Sequence, residues 1–155
     1  MTKTSAKITS IKPFLLGLMF IGSFGLSQPV RATENGVPVT IPDAPAAIWQ
    51  MVDKETDEIT KMIQTGDIKE LHHHAFAIRD LVTALPSHSK SLQPDILAKV
   101  ESGGKSVAIL AKRLDAAGDT NDKGAAESSF EKLKTNLQVI RANYPDSGHN
   151  AAPNK

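Results

Sequence analysis

Three consecutive histidines, His72, His73 and His74, have the clearest capacity for chemistry in this sequence. Histidine is the commonest metal ligand in proteins, so the triplet predicts a contact with a transition metal ion. Residues three and four positions apart are neighbours on a helix, which brings Glu70 within reach of His73 and His74. Successive helical residues point about 100° apart, so an intact helix does not easily direct all three rings at one ion. The alternative is that the histidines are solvated or flank a buried seam and pair with acidic residues.

A methionine on the preceding predicted helix is a further candidate ligand. Met62 shares one edge of that helix with Glu55 and Glu58, and an antiparallel turn brings this edge towards His72 or His74. Thioether sulfur suits cuprous copper, although methionine also fills irregular gaps in protein cores. The predicted metal site therefore consists of Glu70, His72, His73, His74 and Met62.

The histidines lie on a helix that the apolar spacing predicts over residues 67–85. Its apolar residues follow one another at steps of three and four, which is the period of a helix with one buried face. These seam residues are Ile68, Leu71, Ala75, Ile78, Val82 and Leu85. A helix of this kind has to pack against other helices of the chain.

Three further helices with the same spacing are predicted, over residues 44–65, 94–117 and 122–143. Asp43 and Asp67 are the expected N-caps of the first two helices, Gly66 separates these helices, and Pro86 ends the second. Glu55 interrupts the apolar stripe of the first helix where an apolar residue would be expected. Short first and third links and a longer middle link predict an all-α, up-down-up-down four-helix bundle.

Two adjacent glycines, Gly103 and Gly104, interrupt the third predicted helix. Relative to alanine, two glycines inside a helix lower its stability by on the order of 1–2 kcal/mol, so their presence needs an explanation. Close contact with a neighbouring helix, or a kink, is the favoured reason, because glycine lets another element approach the backbone. The alternative is space that is left for a ligand.

The first 32 residues have the pattern of a secretory signal peptide. A basic start without acidic residues precedes an apolar run over residues 14–26, and Val30-Arg31-Ala32 supplies small residues at the cleavage positions. We expect cleavage after Ala32 and export to the periplasm. The predicted organisation is a signal peptide over residues 1–32, a flexible leader over 33–42, the bundle over 43–145 and a disordered tail over 146–155.

Charge and composition narrow the function classes. Residues 1–32 contain four of the 18 basic residues and none of the 17 acidic ones, so cleavage changes the net charge from +1 to −3. With no basic patch, nucleic acid is not an expected partner. The chain has no cysteine, which excludes disulfides, thiolate metal sites and covalent haem attachment. No catalytic motif is recognisable, so we expect no enzyme, and we expect no membrane span after signal cleavage.

The layout resembles the periplasmic soluble cytochrome b and, more loosely, cytochrome c-prime. The resemblance covers residues 48–144 and is clearest over residues 130–135, leading to Tyr144, and at Met51 in the first helix. It implies a small exported four-helix bundle in which Met51 matches the haem-ligating methionine. The position of the family's haem-ligating histidine falls near Arg141, and the fourth predicted helix holds no histidine. Haem is therefore not expected.

The stretch LHHHAFAIRDLVTALP, with AKRLDAAGD downstream, also resembles small exported bundle proteins of bacteria, some of which accompany heavy-metal efflux systems. This resemblance implies metal-efflux or other envelope proteins as partners. The leading hypothesis is an exported, non-enzymatic bundle that binds copper or another divalent transition metal, or that is an accessory to a metal-handling system. The alternatives are a haem-binding electron carrier with altered ligation and an interaction bundle without a cofactor.

Overall fold

Four α-helices make up most of the computed structural model, which describes residues 38–144. The helices are α1 (Pro45–Thr65), α2 (Leu71–His88), α3 (Pro94–Asp119) and α4 (Lys123–Arg141). Residues 38–144 contain no β-strand. The predicted signal peptide over residues 1–32 and the predicted tail over residues 146–155 lie outside the described residues.

Each helix packs against the next helix along the chain, and α4 also contacts α1. The last turn of α4 reaches the first turns of α1, where Arg141 donates to the Trp49 carbonyl oxygen at 3.3 Å and forms an ion pair with Asp53 at 2.5 Å. The Arg141 guanidinium also stacks over the Trp49 ring, 4.5 Å from its centroid. The predicted all-α four-helix bundle is therefore confirmed.

The hydrophobic core lies along the seams of the helices. Every predicted seam residue of α2 is at most 1% exposed, because the three- and four-residue steps place them all on one face. Burial of one large aliphatic side chain contributes roughly 1.5–3 kcal/mol to folding. Val39 and Ile41, which belong to the predicted leader, are half-buried and pack against this core. The chain therefore begins to contribute to the core before α1 starts.

The start of α2 differs from the prediction. Gly66 ends α1 in the left-handed conformation, with φ +80°, and its N–H donates to the Met62 carbonyl. The chain then turns so that Ile68 enters the core, and α2 begins only at Leu71. Glu70, and not Asp67, is the N-cap residue of α2. The prediction that Asp67 is the N-cap was wrong, because capping preference is local whereas burial of Ile68 depends on the neighbouring helices.

Two other predicted helix boundaries also differ. Pro86 lies inside α2, which continues to His88. The missing proline N–H removes one helical bond, but the following turn is held by a Ser89 hydroxyl bond to the Leu85 carbonyl at 2.6 Å. His88 Nδ1 donates to the Asp43 carbonyl at 3.0 Å and ties this turn to the start of α1. Ala44, not Asp43, is the N-cap of α1 and makes no side-chain cap bond.

Close packing against α4 explains one of the two central glycines of α3, Gly103. A Cβ atom at Gly103 would lie 2.4 Å from Cγ1 of Ile140 in α4, whereas one at Gly104 would lie 3.9 Å from the nearest atom of Val82. The Asn136 amide also donates to the Gly103 carbonyl at 3.3 Å. Gly103 is therefore a point of close helix contact, as predicted, and α3 continues through it as an α-helix.

Candidate metal centre

Three metal-binding side chains converge at the start of α2. Glu70, His72 and His73 each offer one ligand atom, and these atoms all lie within 4.8 Å of one another. One carboxylate oxygen of Glu70 is 2.9 Å from Nε2 of His73 and 4.0 Å from Nε2 of His72. The two imidazole rings lie 3.9 Å apart with an angle of 45° between their planes. We call Glu70, His72 and His73 the Glu70 cluster.

The N-cap position of Glu70 makes this convergence possible. Inside a helix, residues two positions apart face different directions, so a helical Glu70 would not reach His72. Glu70 has φ −96° and ψ 14°, which differ from helical values, and its side chain makes no cap hydrogen bond. Its carboxylate is therefore available to both imidazoles. The predicted contact of Glu70 with His73 is confirmed, and the contact with His72 was not predicted.

The end of α3 fixes the backbone that carries Glu70. A Cβ atom at Gly118 would lie 2.7 Å from the carbonyl oxygen of Ile68 and 3.7 Å from Cβ of Leu71. Only glycine allows the last turns of α3 to approach this segment so closely. Leu71 itself is fully buried. The Glu70 cluster is thus built on a turn that is held by core packing on one side and by α3 on another.

His74 points to a different partner. Its Nδ1 lies 2.7 Å from a carboxylate oxygen of Glu55 in α1, and the two side chains are 29% and 14% exposed. The predicted contact of His74 with Glu70 is therefore replaced by a contact across the α1–α2 interface. Glu55 is the residue that interrupts the apolar stripe of α1, and that interruption was the signal for this pair. Its partner depends on the register of the two helices, which the spacing alone does not determine.

Glu58 lies one turn after Glu55 and is occupied by another partner. The Lys61 ammonium donates to its carboxylate at 2.8 Å. This hydrogen bond and the charge of Lys61 lower the pKa of Glu58, and the charge of His74 lowers it slightly further. Glu58 and Glu55 therefore face the same side of α1 as His74, but the short contact of His74 is with Glu55.

Met62 is half-buried and packs against the hydrophobic core. This contact agrees with the general use of methionine as a filler of irregular gaps. Its predicted role as a metal ligand stays a prediction. Met51, the methionine that the cytochrome resemblance would use for haem, is also half-buried and packs against the same core.

Partial positive and full negative charges lie together at the Glu70 cluster. The N-terminus of a helix carries partial positive charge, which disfavours a nearby cation by about 0.3–1 kcal/mol. The Glu70 carboxylate brings a full negative charge to the same place. The C-terminal end of α3, which carries partial negative charge, lies against the backbone of Ile68 and Lys69. The negative charge of Glu70 therefore opposes the unfavourable end of α2.

One ring nitrogen of His73 has no partner that would support metal binding. Nδ1 of His73 is buried and has no hydrogen-bond partner among the described residues. A metal on Nε2 places the ring proton on Nδ1, and metal-ligating histidines usually donate this proton to an acceptor. A buried N–H without an acceptor costs about 1–3 kcal/mol. A metal ion on Nε2 of His73 would therefore lack this supporting hydrogen bond.

The chain matched no protein-family model, no curated protein and no solved structure in the comparisons made with known proteins. The four helices agree with the fold that the cytochrome resemblance implies, while membership of that family and the expected lack of haem stay predictions. Within residues 38–144, no helix is both long enough and apolar enough to cross a bilayer.

Proposed function

We propose that the protein binds a divalent transition metal ion through Glu70, His72 and His73, with Cu(II) preferred over Zn(II), and that it does not act as an enzyme. The observation that carries this proposal is the convergence of one carboxylate and two imidazole nitrogens within 4.8 Å. Carboxylate and imidazole are common ligands for such ions. In the cell, the protein accompanies a metal-handling system of the envelope.

The usual order of affinities supports the preference for copper, because Cu(II) stands above Zn(II) for sites with nitrogen and oxygen ligands. The Glu70 oxygen and His73 Nε2 lie 2.9 Å apart, which is the ordinary distance of an ion pair or hydrogen bond. The two ligand atoms are therefore close enough to bind one ion.

Titration calorimetry with Cu(II) and with Zn(II) tests the proposal. We compare the purified protein with a variant carrying His72→Gln and His73→Gln, and use His74→Gln as the matched control because His74 pairs with Glu55. We expect the double variant to lose copper binding by about 10-fold or more, and the control to keep it. Equal affinity in all three proteins would exclude His72 and His73 as ligands. No copper binding by the wild-type protein would favour an interaction bundle without a metal.

An absorption spectrum of the same protein separates the haem alternative. A haem carrier purifies with an intense absorption band and binds added haem in a stoichiometric complex. We expect neither, because α4 contains no histidine. A sharp six-coordinate haem spectrum that changes in Met51→Ala would replace the metal-binding proposal with the electron-carrier alternative.

A further inference from the structure

We infer that the Glu70 cluster passes its ion to a partner by direct ligand exchange and does not store it. This inference rests on the proposed function, and it adds the kind of partner: a protein or small molecule that offers nitrogen ligands to Cu(II). Three features of the structure support it. First, all three ligands come from one end of one helix. Second, the imidazole of His74 is paired with Glu55. Third, Nδ1 of His73 has no hydrogen-bond acceptor among the described residues.

The three ligands come from one end of one helix. Glu70, His72 and His73 span four residues of the chain, and their side chains are 63%, 24% and 38% exposed. Sites that hold a structural ion close around it with four protein ligands, usually from more than one element. Here the ion would have protein on one side and solvent on the other. At least one coordination position therefore stays accessible to an incoming ligand.

His74, the histidine that follows the cluster, is already paired with Glu55. His74 lies 2.7 Å from Glu55, and both side chains are largely shielded from solvent. Recruiting His74 as a further ligand would break this contact and leave Glu55 without its partner at the α1–α2 interface. Removing one member of a partly buried pair is costly, because the remaining charge loses its compensation. The Glu55–His74 pair therefore keeps the coordination sphere from closing within one molecule.

The bond between the ion and His73 also lacks a supporting hydrogen bond. The buried Nδ1 atom has no acceptor among the described residues. Loss of such outer contacts typically reduces metal affinity about 10–100-fold. A site that held its ion for long periods would supply this hydrogen bond. The Glu70 cluster instead combines moderate affinity with an open face, which suits transfer.

Transfer then proceeds through a mixed complex. The incoming nitrogen ligand occupies the open position first, and the imidazoles and the carboxylate leave afterwards. The ion remains Cu(II) throughout, so no electron donor or acceptor is needed. Because the acceptor takes part before the ion leaves, the transfer rate rises with acceptor concentration. A closed site would instead release its ion in a step that does not depend on the acceptor.

Stopped-flow absorbance distinguishes these two routes. The purified, copper-loaded protein is mixed with increasing excesses of nitrilotriacetate, and loss of the protein–copper absorption is followed. We expect the observed rate to increase in proportion to the nitrilotriacetate concentration. A rate that stays constant would overturn the inference and leave the proposed function intact, since copper would still be bound. A protein that binds no copper in calorimetry would refute both.

Two controls separate transfer from closure by other groups. His74→Gln should leave both the rate and its dependence on nitrilotriacetate unchanged, and a change of about tenfold or more would show that His74 completes the site. Sedimentation velocity of the copper-loaded protein should show a monomer. A dimer that forms only with copper would mean that a second copy supplies the missing ligands, which would also overturn the inference.

Discussion

Replacing Gly103 and Gly104 separately by alanine gives a matched test of the α3–α4 packing. Both glycines lie in the interior of α3, so each alanine gains about 1 kcal/mol of helix propensity. The added methyl group at Gly104 makes ordinary contact with Val82 at 3.9 Å. The one at Gly103 would lie 2.4 Å from Cγ1 and 2.8 Å from Cδ1 of Ile140. We therefore expect different changes in stability at two adjacent positions.

The difference between the two variants isolates the close contact, because the gain in helix propensity is common to both. Ile140 is 1% exposed and branched, so its inner carbon atom does not easily move away. Overpacking of this kind typically costs about 1–3 kcal/mol. Gly104→Ala should therefore stabilise the protein by up to about 1 kcal/mol. Gly103→Ala should be less stable than Gly104→Ala by about 1–3 kcal/mol.

Urea unfolding monitored by circular dichroism measures both values. The midpoint and its slope are compared for the wild-type protein and the two variants, since an unchanged slope shows that only stability has changed. A second variant, Gly103→Ala with Ile140→Val, removes Cδ1 of Ile140 and should recover part of the loss. If both single alanine variants are stabilised equally, the close approach of α3 and α4 at Gly103 is wrong.

Two further predictions concern pH. Burial raises the pKa of the Tyr144 hydroxyl, which is hydrogen-bonded to Ser89 at 3.1 Å, so the folded protein keeps this proton at pH values where the unfolded chain loses it. The stability that this proton contributes is complete below about pH 10 and is lost as the pH rises through the raised pKa. In urea unfolding, Tyr144→Phe should therefore lose less stability than the wild-type protein between about pH 8 and about pH 11. Equal losses of stability would contradict this prediction. Copper affinity should fall as the pH is lowered, because protons compete with the metal for the imidazole nitrogens. Calorimetry in buffers of decreasing pH checks the second prediction, and an affinity that does not change with pH would mean that carboxylates alone bind the ion.

The Glu55–His74 pair shows why a polar residue can occupy a core-facing position. Glu55 stands in the apolar stripe of α1 and is 14% exposed at its side chain. Pairs of this kind contribute little net stability, because removing the charges from water offsets their attraction. The pair instead links α1 to α2 at a defined point, because His74 Nδ1 lies 2.7 Å from the Glu55 carboxylate. This contact directs His74 away from the Glu70 cluster.

Periodicity and local stop signals were enough to predict the fold. Steps of three and four apolar residues define one face of each helix, and this face must be buried whatever lies opposite. The predicted seam of α2 is accordingly buried in full. Gly66 ends α1 because the left-handed conformation is inexpensive only for glycine, which is a property of that residue alone. Such features depend on a few neighbouring residues, so the amino-acid order determines them.

The geometry of the candidate site was decided by tertiary structure. The types of its ligands were evident in the sequence, but Glu70 reaches both His72 and His73 only because α2 starts at Leu71. That start depends on burial of Ile68 and on the close approach of Gly118 from a distant part of the chain. His74 likewise finds Glu55 only through the register of α1 and α2. Local preferences at a helix start differ by about 1 kcal/mol, whereas core packing involves several times more, and the larger contribution selects the turn that brings the ligands together.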